Sequence, residues 1–293
     1  LIAKPKEIMR RAFQGIDHAV IAVRDLDKAA ETWERLGFFL APKSGHPELG
    51  SQNRCIIMHG DYIELLNPGD HEATRFLSDC LETREGMAAL ALRSPDIEAS
   101  RGLLGKAGFS SSEPLSFSRP LIVPSGASET ARFTVTMIDP AQTPGGQILG
   151  CHHHTPQHIW AVGYENHPNR AERISAVIFG ATDVAKSARI FERIFDSMGR
   201  GGANKSIEVP TGDVPIFVVS EEALPKIYSN VAVGIRTPCF AGLSIQVYDL
   251  QETARVLTEN GVPFVGSPSI HLLVAPEHAN GVLLEFYRRS DGP

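Results

Sequence analysis

The sequence predicts an α+β fold in which tandem βαβββ units pair into two domains with cup-shaped mixed sheets. Three observations carry this prediction. A strand, turn and amphipathic helix recur four times along the 293 residues, three copies keep one aspartate-to-glycine spacing, and strand-like runs follow the helices.

The first copy is HAVIAVRDLDKAAETWERLGF, where Ala29, Trp33 and Leu36 recur at helical spacing between Asp25 and Gly37. The second, MAALALRSPDIEASRGLLGKAGF, places Asp96 and Gly108 in the same register, and the fourth, LSIQVYDLQETARVLTENGVPF, does so with Asp249 and Gly261. A looser third copy begins near Ile174. Aspartate suits the helix N-cap and glycine the C-cap. After Gly37 come FFLAPKSG, RCIIMHG and DYIELL, and after Gly261 come PFVGSPS, IHLLVA and VLLEFYRR, each bounded by turn residues. Units of roughly 60 to 70 residues cannot bury both faces of a sheet alone, so they are expected to pair.

The expected organisation is an arm at 1–13, a first domain at 14–155, a linker at 156–172 rich in Pro, Asn and charge, and a second domain at 173–293. GRGGAN from Gly199 follows a helix and reads as a flexible turn.

Composition narrows the function classes. The formal charge is -6, from 28 Lys+Arg against 34 Asp+Glu, which gives no basic footprint for nucleic acid. The apolar runs fall short of the ~20 residues a bilayer span needs, and the basic start has no signal core, so neither a membrane nor export is expected. Cys55, Cys80, Cys151 and Cys239 form no CxxC pair, which favours a reducing cytoplasm. The serine-hydrolase, P-loop and zincin motifs are absent.

GIDHAVIAV, NRCIIMHGDYIELL, PLSFSRP, ARFTVTM, CHHHTPQHIW and VLLEFY resemble the vicinal oxygen chelate superfamily, most closely its glyoxalase-like branch. The resemblance implies paired units closing a cup around a divalent ion of Fe, Mn, Zn or Ni, with His18 and Glu64 as ligands. An offset of 71 residues sets Ala89 opposite His18 in unit two, so the remaining ligand is expected from the triple-histidine run: His153, on the face of Leu149 and Cys151, or His154. His152, left over, is a candidate general base, and Asn53, Arg54, Arg119 and Arg132 are candidates for binding substrate. Each also has a structural reading, His18 as a satisfied core histidine and Glu64 as an edge carboxylate paired to arginine.

The implied activity is metal-dependent lyase, isomerase or dioxygenase chemistry on a small oxygen-rich molecule. The alternative is a non-catalytic small-molecule binding or resistance protein using the same cup. In the second half Glu285 has no partner histidine at the matching positions, Ala176 and about Gly242, so Glu285 and His271 read as structural. That domain is left to cover the first cup, shape access or form a homodimer interface.

Overall fold

The computed structural model describes residues 11–143, 145–202 and 205–288; the first ten residues of the expected arm lie outside the described residues. Two eight-stranded mixed sheets are present. The first contains β1 (Ile16–Ala22), β2 (Ser44–His46), β3 (Ser51–Ile57), β4 (Tyr62–Asn67), β5 (Gly86–Arg93), β6 (Leu115–Ile122), β7 (Ser128–Met137) and β8 (Gln147–His153), in the order β2-β3-β4-β1-β5-β8-β7-β6. The second contains β9 (Ala171–Ala181), β10 (Arg200–Gly202), β11 (Ser206–Val209), β12 (Ile216–Ser220), β13 (Cys239–Val247), β14 (Val265–Ser267), β15 (His271–Val274) and β16 (Leu283–Tyr287), and repeats that order.

Each half-sheet is one unit, and antiparallel first strands join the halves: β1 to β5 and β9 to β13. His18 faces Ala91 and Val20 faces Ala89 across the first join, so Ala89 is the counterpart of His18. Parallel pairing of His18 with Tyr62 and of Ala89 with Gln147 then makes Gly145 the counterpart of Gly60, and Leu149 that of Glu64.

The unit helices are α1 (Leu26–Arg35), α3 (Ile97–Lys106), α5 (Val184–Phe195) and α7 (Leu250–Glu259). Asp25, Asp96, Asp183 and Asp249 each accept backbone N–H groups at the N-terminus, the capping that the repeated aspartate predicts. Between β4 and β5 lies α2 (Arg75–Thr83), which the repeat did not foretell because only Leu77 of it is fully buried. Two short helices, α4 (Pro156–Ile159) and α6 (Leu224–Ile227), complete the described set.

The convex faces of both sheets and the helices on them share one core, with Ile16, Ile21 and Trp33 of the first domain in the same cluster as Val177, Phe195 and Ile245 of the second. The cups therefore point away from each other, and the second domain backs the first cup without covering it. Ala12 and Phe13, read as arm, are buried in this core. The crossing at 156–172 is equally fixed: Asn169 Nδ2 donates to Leu36 O, and Thr253 Oγ1 donates to Asn169 O. Arg200–Gly202, read as a flexible turn, pairs with β11 as an edge strand.

Candidate active site in the N-terminal cup

Alternation along each strand decides which side chains enter the first cup. Val20 and Ala22 of β1, Cys55 and Ile57 of β3, Tyr62 and Leu66 of β4, Phe133 and Val135 of β7, and Leu149 and Cys151 of β8 form its apolar wall. A narrow cavity of about 60 Å³, measured as space for the centres of water-sized spheres, opens among them. Phe76 of α2 and Phe117 of β6 line it, and its ionisable lining is His18, His46, Tyr62, Glu64, Arg119 and Cys151.

His18 Nε2 stands 3.8 Å from Glu64 Oε2, and His46 Nε2 stands 3.9 Å from Glu64 Oε1. Asn53 Nδ2 donates to Glu64 Oε1. Burial raises the pKa of Glu64, but His46, His18, Arg119 and the Asn53 hydrogen bond more than compensate and leave it below the ordinary range. His46 is driven down to about 4, chiefly by burial, so it is a neutral imidazole at pH 7. Arg119 is buried; its Nη1 meets Cys55 Sγ at 3.2 Å, while its Nε has no hydrogen-bond partner among the described residues.

A second layer lies behind His18. The β1–β5 register slips between Ile16 and His18, and this bulge turns Asp17 to the side of its neighbour. Asp17 Oδ1 lies 2.7 Å from His18 Nδ1 and 2.8 Å from His153 Nε2. Burial opposes ionisation of Asp17, yet His153 and His18 together hold its pKa well below the carboxylate norm. The carboxylate is therefore ionised and accepts from both ring nitrogens, and His18 Nε2 is left facing Glu64. Tyr62 stacks on the His18 ring at 4.2 Å and fixes its plane.

Of the residues nominated from sequence, His18, Glu64, Asn53 and Arg119 meet in the cup. His153 joins them through Asp17, on the side of His18 away from Glu64. The other four point elsewhere. His152 Nδ1 contacts Ser94 O and its ring packs against His154, which in turn meets Thr134 Oγ1. Arg54 reaches Ala41 O and Glu34, and Arg132 is exposed. The physical reason is parity: positions 54, 132 and 152 alternate with cup-facing neighbours. Asp17 and His46 were missed, because a bulge breaks the two-residue period and a three-residue edge strand carries too few residues to show one.

Asp17, His18, Cys151 and His153 also offer ligand atoms that all lie within 4.8 Å of one another. In this group Asp17 already receives two imidazole N–H groups. Burial, with Asp17 and Glu64 adding to it, raises the Cys151 thiol well above its usual range and keeps it protonated. The group is thus a buried set compatible with an ion, and its existing hydrogen bonds suit it better to supporting His18. On the Glu64 side, His18 Nε2 has no hydrogen bond to displace, and two imidazoles face one ionised carboxylate. These are donor types that a first-row divalent ion takes, although the two imidazoles approach different oxygens of Glu64.

The second cup differs. Ser244 pairs with Glu285 as Val20 does with Glu64, so Glu285 occupies the matching position. It accepts from Ser244 Oγ and lies 3.2 Å from His271 Nδ1, and Ile178, Leu224 and Tyr228 belong to the buried apolar cluster of this domain.

Paired βαβββ units around a cup with a strand-borne histidine and glutamate define the vicinal oxygen chelate class. Residues 16–195 match the glyoxalase-like domain family, and the chain belongs to that family. No curated protein matches it. Among solved structures it is similar to a hypothetical protein from Staphylococcus aureus, with TM-score 0.65, 12% identity, and coverage of 93% of this chain and 98% of that one. It is also similar to a mutant of 4-hydroxymandelate synthase from Streptomyces coelicolor, with TM-score 0.59, 15% identity, and coverage of 96% and 95%. A xylose isomerase-like TIM barrel/4-hydroxyphenylpyruvate dioxygenase fusion protein matches with TM-score 0.59 and 14% identity over 97% of this chain and 50% of that one. At these identities the likeness is one of fold. Among the described residues no helix is long and apolar enough to cross a membrane.

Proposed function

We propose that this chain is a metal-dependent enzyme acting in its N-terminal cup on a small oxygen-rich anion that carries an apolar portion. The observation behind this is the convergence of His18 Nε2 and His46 Nε2 on the two oxygens of Glu64, at 3.8 and 3.9 Å, beside a buried arginine. His18, His46 and Glu64 would hold Fe, Mn, Zn or Ni. The ion would supply Lewis acidity toward adjacent substrate oxygens. His46 takes the place that the family resemblance gave to His153 or His154.

The remaining roles belong to the chain's own groups. Arg119, cationic and incompletely bonded, would bind a substrate carboxylate or similar anion at its free Nε edge. Asn53 holds Glu64 in orientation, and Asp17 keeps the His18 proton on Nδ1. Phe76, Phe117 and Phe133 would take the apolar part and keep water from the polar end. This arrangement suits lyase or isomerase proton transfer, with dioxygenation as the outcome if the ion is iron. The free thiols of the four cysteines favour a cytoplasmic setting.

The test is titration of metal-free protein with Fe(II), Mn(II), Zn(II) and Ni(II), in the native chain and in His18→Ala, His46→Ala and Glu64→Ala. Uptake that none of these three substitutions weakens would sink the proposed centre. The apolar lining also supports a second reading, a non-catalytic binding protein; tight retention of a ligand without turnover by the metal-loaded protein selects it.

A further inference from the structure

An acidic side chain of the second domain, Asp213 in the loop between β11 and β12, reaches the back of the first cup. Its Oδ1 accepts from the backbone N–H of Ile16 at 3.1 Å, and its Oδ2 lies 3.4 Å from Arg93 Nη1. The approach is so close that a Cβ on Gly15 would stand 2.1 Å from Asp213 Oδ1, and Gly15 has φ +115°, a backbone that favours glycine. Arg93, on β5, donates to Ile16 O at 2.8 Å and to Gly60 O at 2.6 Å, and its Nε lies 3.9 Å from Asp17 Oδ2. Among the described residues no hydrogen bond reaches Asp17 Oδ2, and this guanidinium faces it.

These contacts bracket the bulge that turns Asp17 toward His18. Both backbone polar groups of Ile16 are fixed, N–H by Asp213 and C=O by Arg93, one residue before the register slips. We infer that Asp213 is a positioning residue of the N-terminal site: through Ile16 and Arg93 it sets the Asp17 carboxylate that orients His18 and His153. The second domain is then part of the site's support, although none of its side chains enters the cup. The inference rests on the proposed reading of His18 as a working imidazole. It concerns the placement of the Asp17 carboxylate against His18 and needs no ion.

The test is ¹⁵N NMR of the histidine side chains in metal-free full-length protein at fixed pH, comparing the native chain with Asp213→Asn, Asp213→Ala and Asn280→Ala. Asp213→Asn retains an acceptor for Ile16 N–H and guards against a variant that fails to fold. Asn280→Ala cuts another interdomain bond, from Trp33 Nε1, and controls for general loosening. In the native chain His18 is expected as the Nδ1–H tautomer with a slowly exchanging proton. Both Asp213 variants should give a mixed tautomer and roughly tenfold faster exchange of that proton, on the scale of one weakened hydrogen bond, while Asn280→Ala leaves His18 as it was. The inference is overturned if His18 and His153 signals in Asp213→Asn match the native ones, or if Asn280→Ala shifts them equally. Failure of the metal reading would show separately, as absence of metal uptake by the native chain.

Discussion

Asp17 Oδ1 stands 2.7 Å from His18 Nδ1, and the low pKa of that carboxylate puts the shared proton on the imidazole. The opposite nitrogen, Nε2, is thereby left facing Glu64. An amide at position 17 offers no fixed negative charge to hold this tautomer. Asp17→Asn should lower Zn(II) affinity by about 10- to 100-fold, as loss of a ligand-orienting carboxylate does elsewhere; isothermal titration against the native protein measures it.

Removing a direct ligand should cost more than removing its support. His18→Ala and Glu64→Gln are expected to weaken metal uptake beyond the roughly 10- to 100-fold effect of a supporting residue. His154→Ala and Arg132→Ala, at exposed positions pointing away from the cup, should leave uptake unchanged. A His154→Ala variant that lost metal would return the centre to the triple-histidine run.

Arg119 is a buried cation whose Nε lacks a partner. Arg119→Met removes the charge but keeps much of the packing; it takes the cation from beside buried, ionised Glu64, so the melting temperature should fall. Affinity for short- and medium-chain carboxylates should fall about 10-fold or more, the worth of one charge-assisted hydrogen bond, as read by competition or calorimetry.

Asp61 is buried in the seam between the domains, accepts from Ile174 N–H at 3.0 Å, and has its pKa raised to about 7, mainly by burial. In the unfolded chain it titrates near 3.8. Below that value both states hold the proton and it costs nothing; from there to about 7 the folded state binds the extra proton, so stability falls as pH rises; above 7 the full penalty remains. Asp61→Asn should be nearly neutral at pH 4 and stabilising at pH 8, by up to about 4 kcal/mol. Urea unfolding at both pH values would show it, and an equal effect at the two would contradict the assignment.

Much of this was legible in the residue order. The Asp25, Asp96 and Asp249 caps, the alternation that turns His18, Glu64 and Arg119 inward, and the offset that pairs Ala89 with His18 all depend on local periods of two or 3.6 residues. The same alternation, followed through from Leu149 and Cys151, brings His153 inward and sends His152 outward. It also sends Arg54 and Arg132 outward.

What the chain order alone determined, then, is the repeated unit, its pairing into two cups and the strand faces from which His18 and Glu64 project, because those follow from short-range geometry. The tertiary structure decided that His46 from an edge strand meets Glu64, that a bulge brings Asp17 behind His18, and that the two cups sit back to back with Asp213 at the joint. These depend on where segments far apart in sequence meet, as Ile16 meets Asp213 197 residues away. The packing of the two convex faces into one core fixes that meeting, and no local period encodes it.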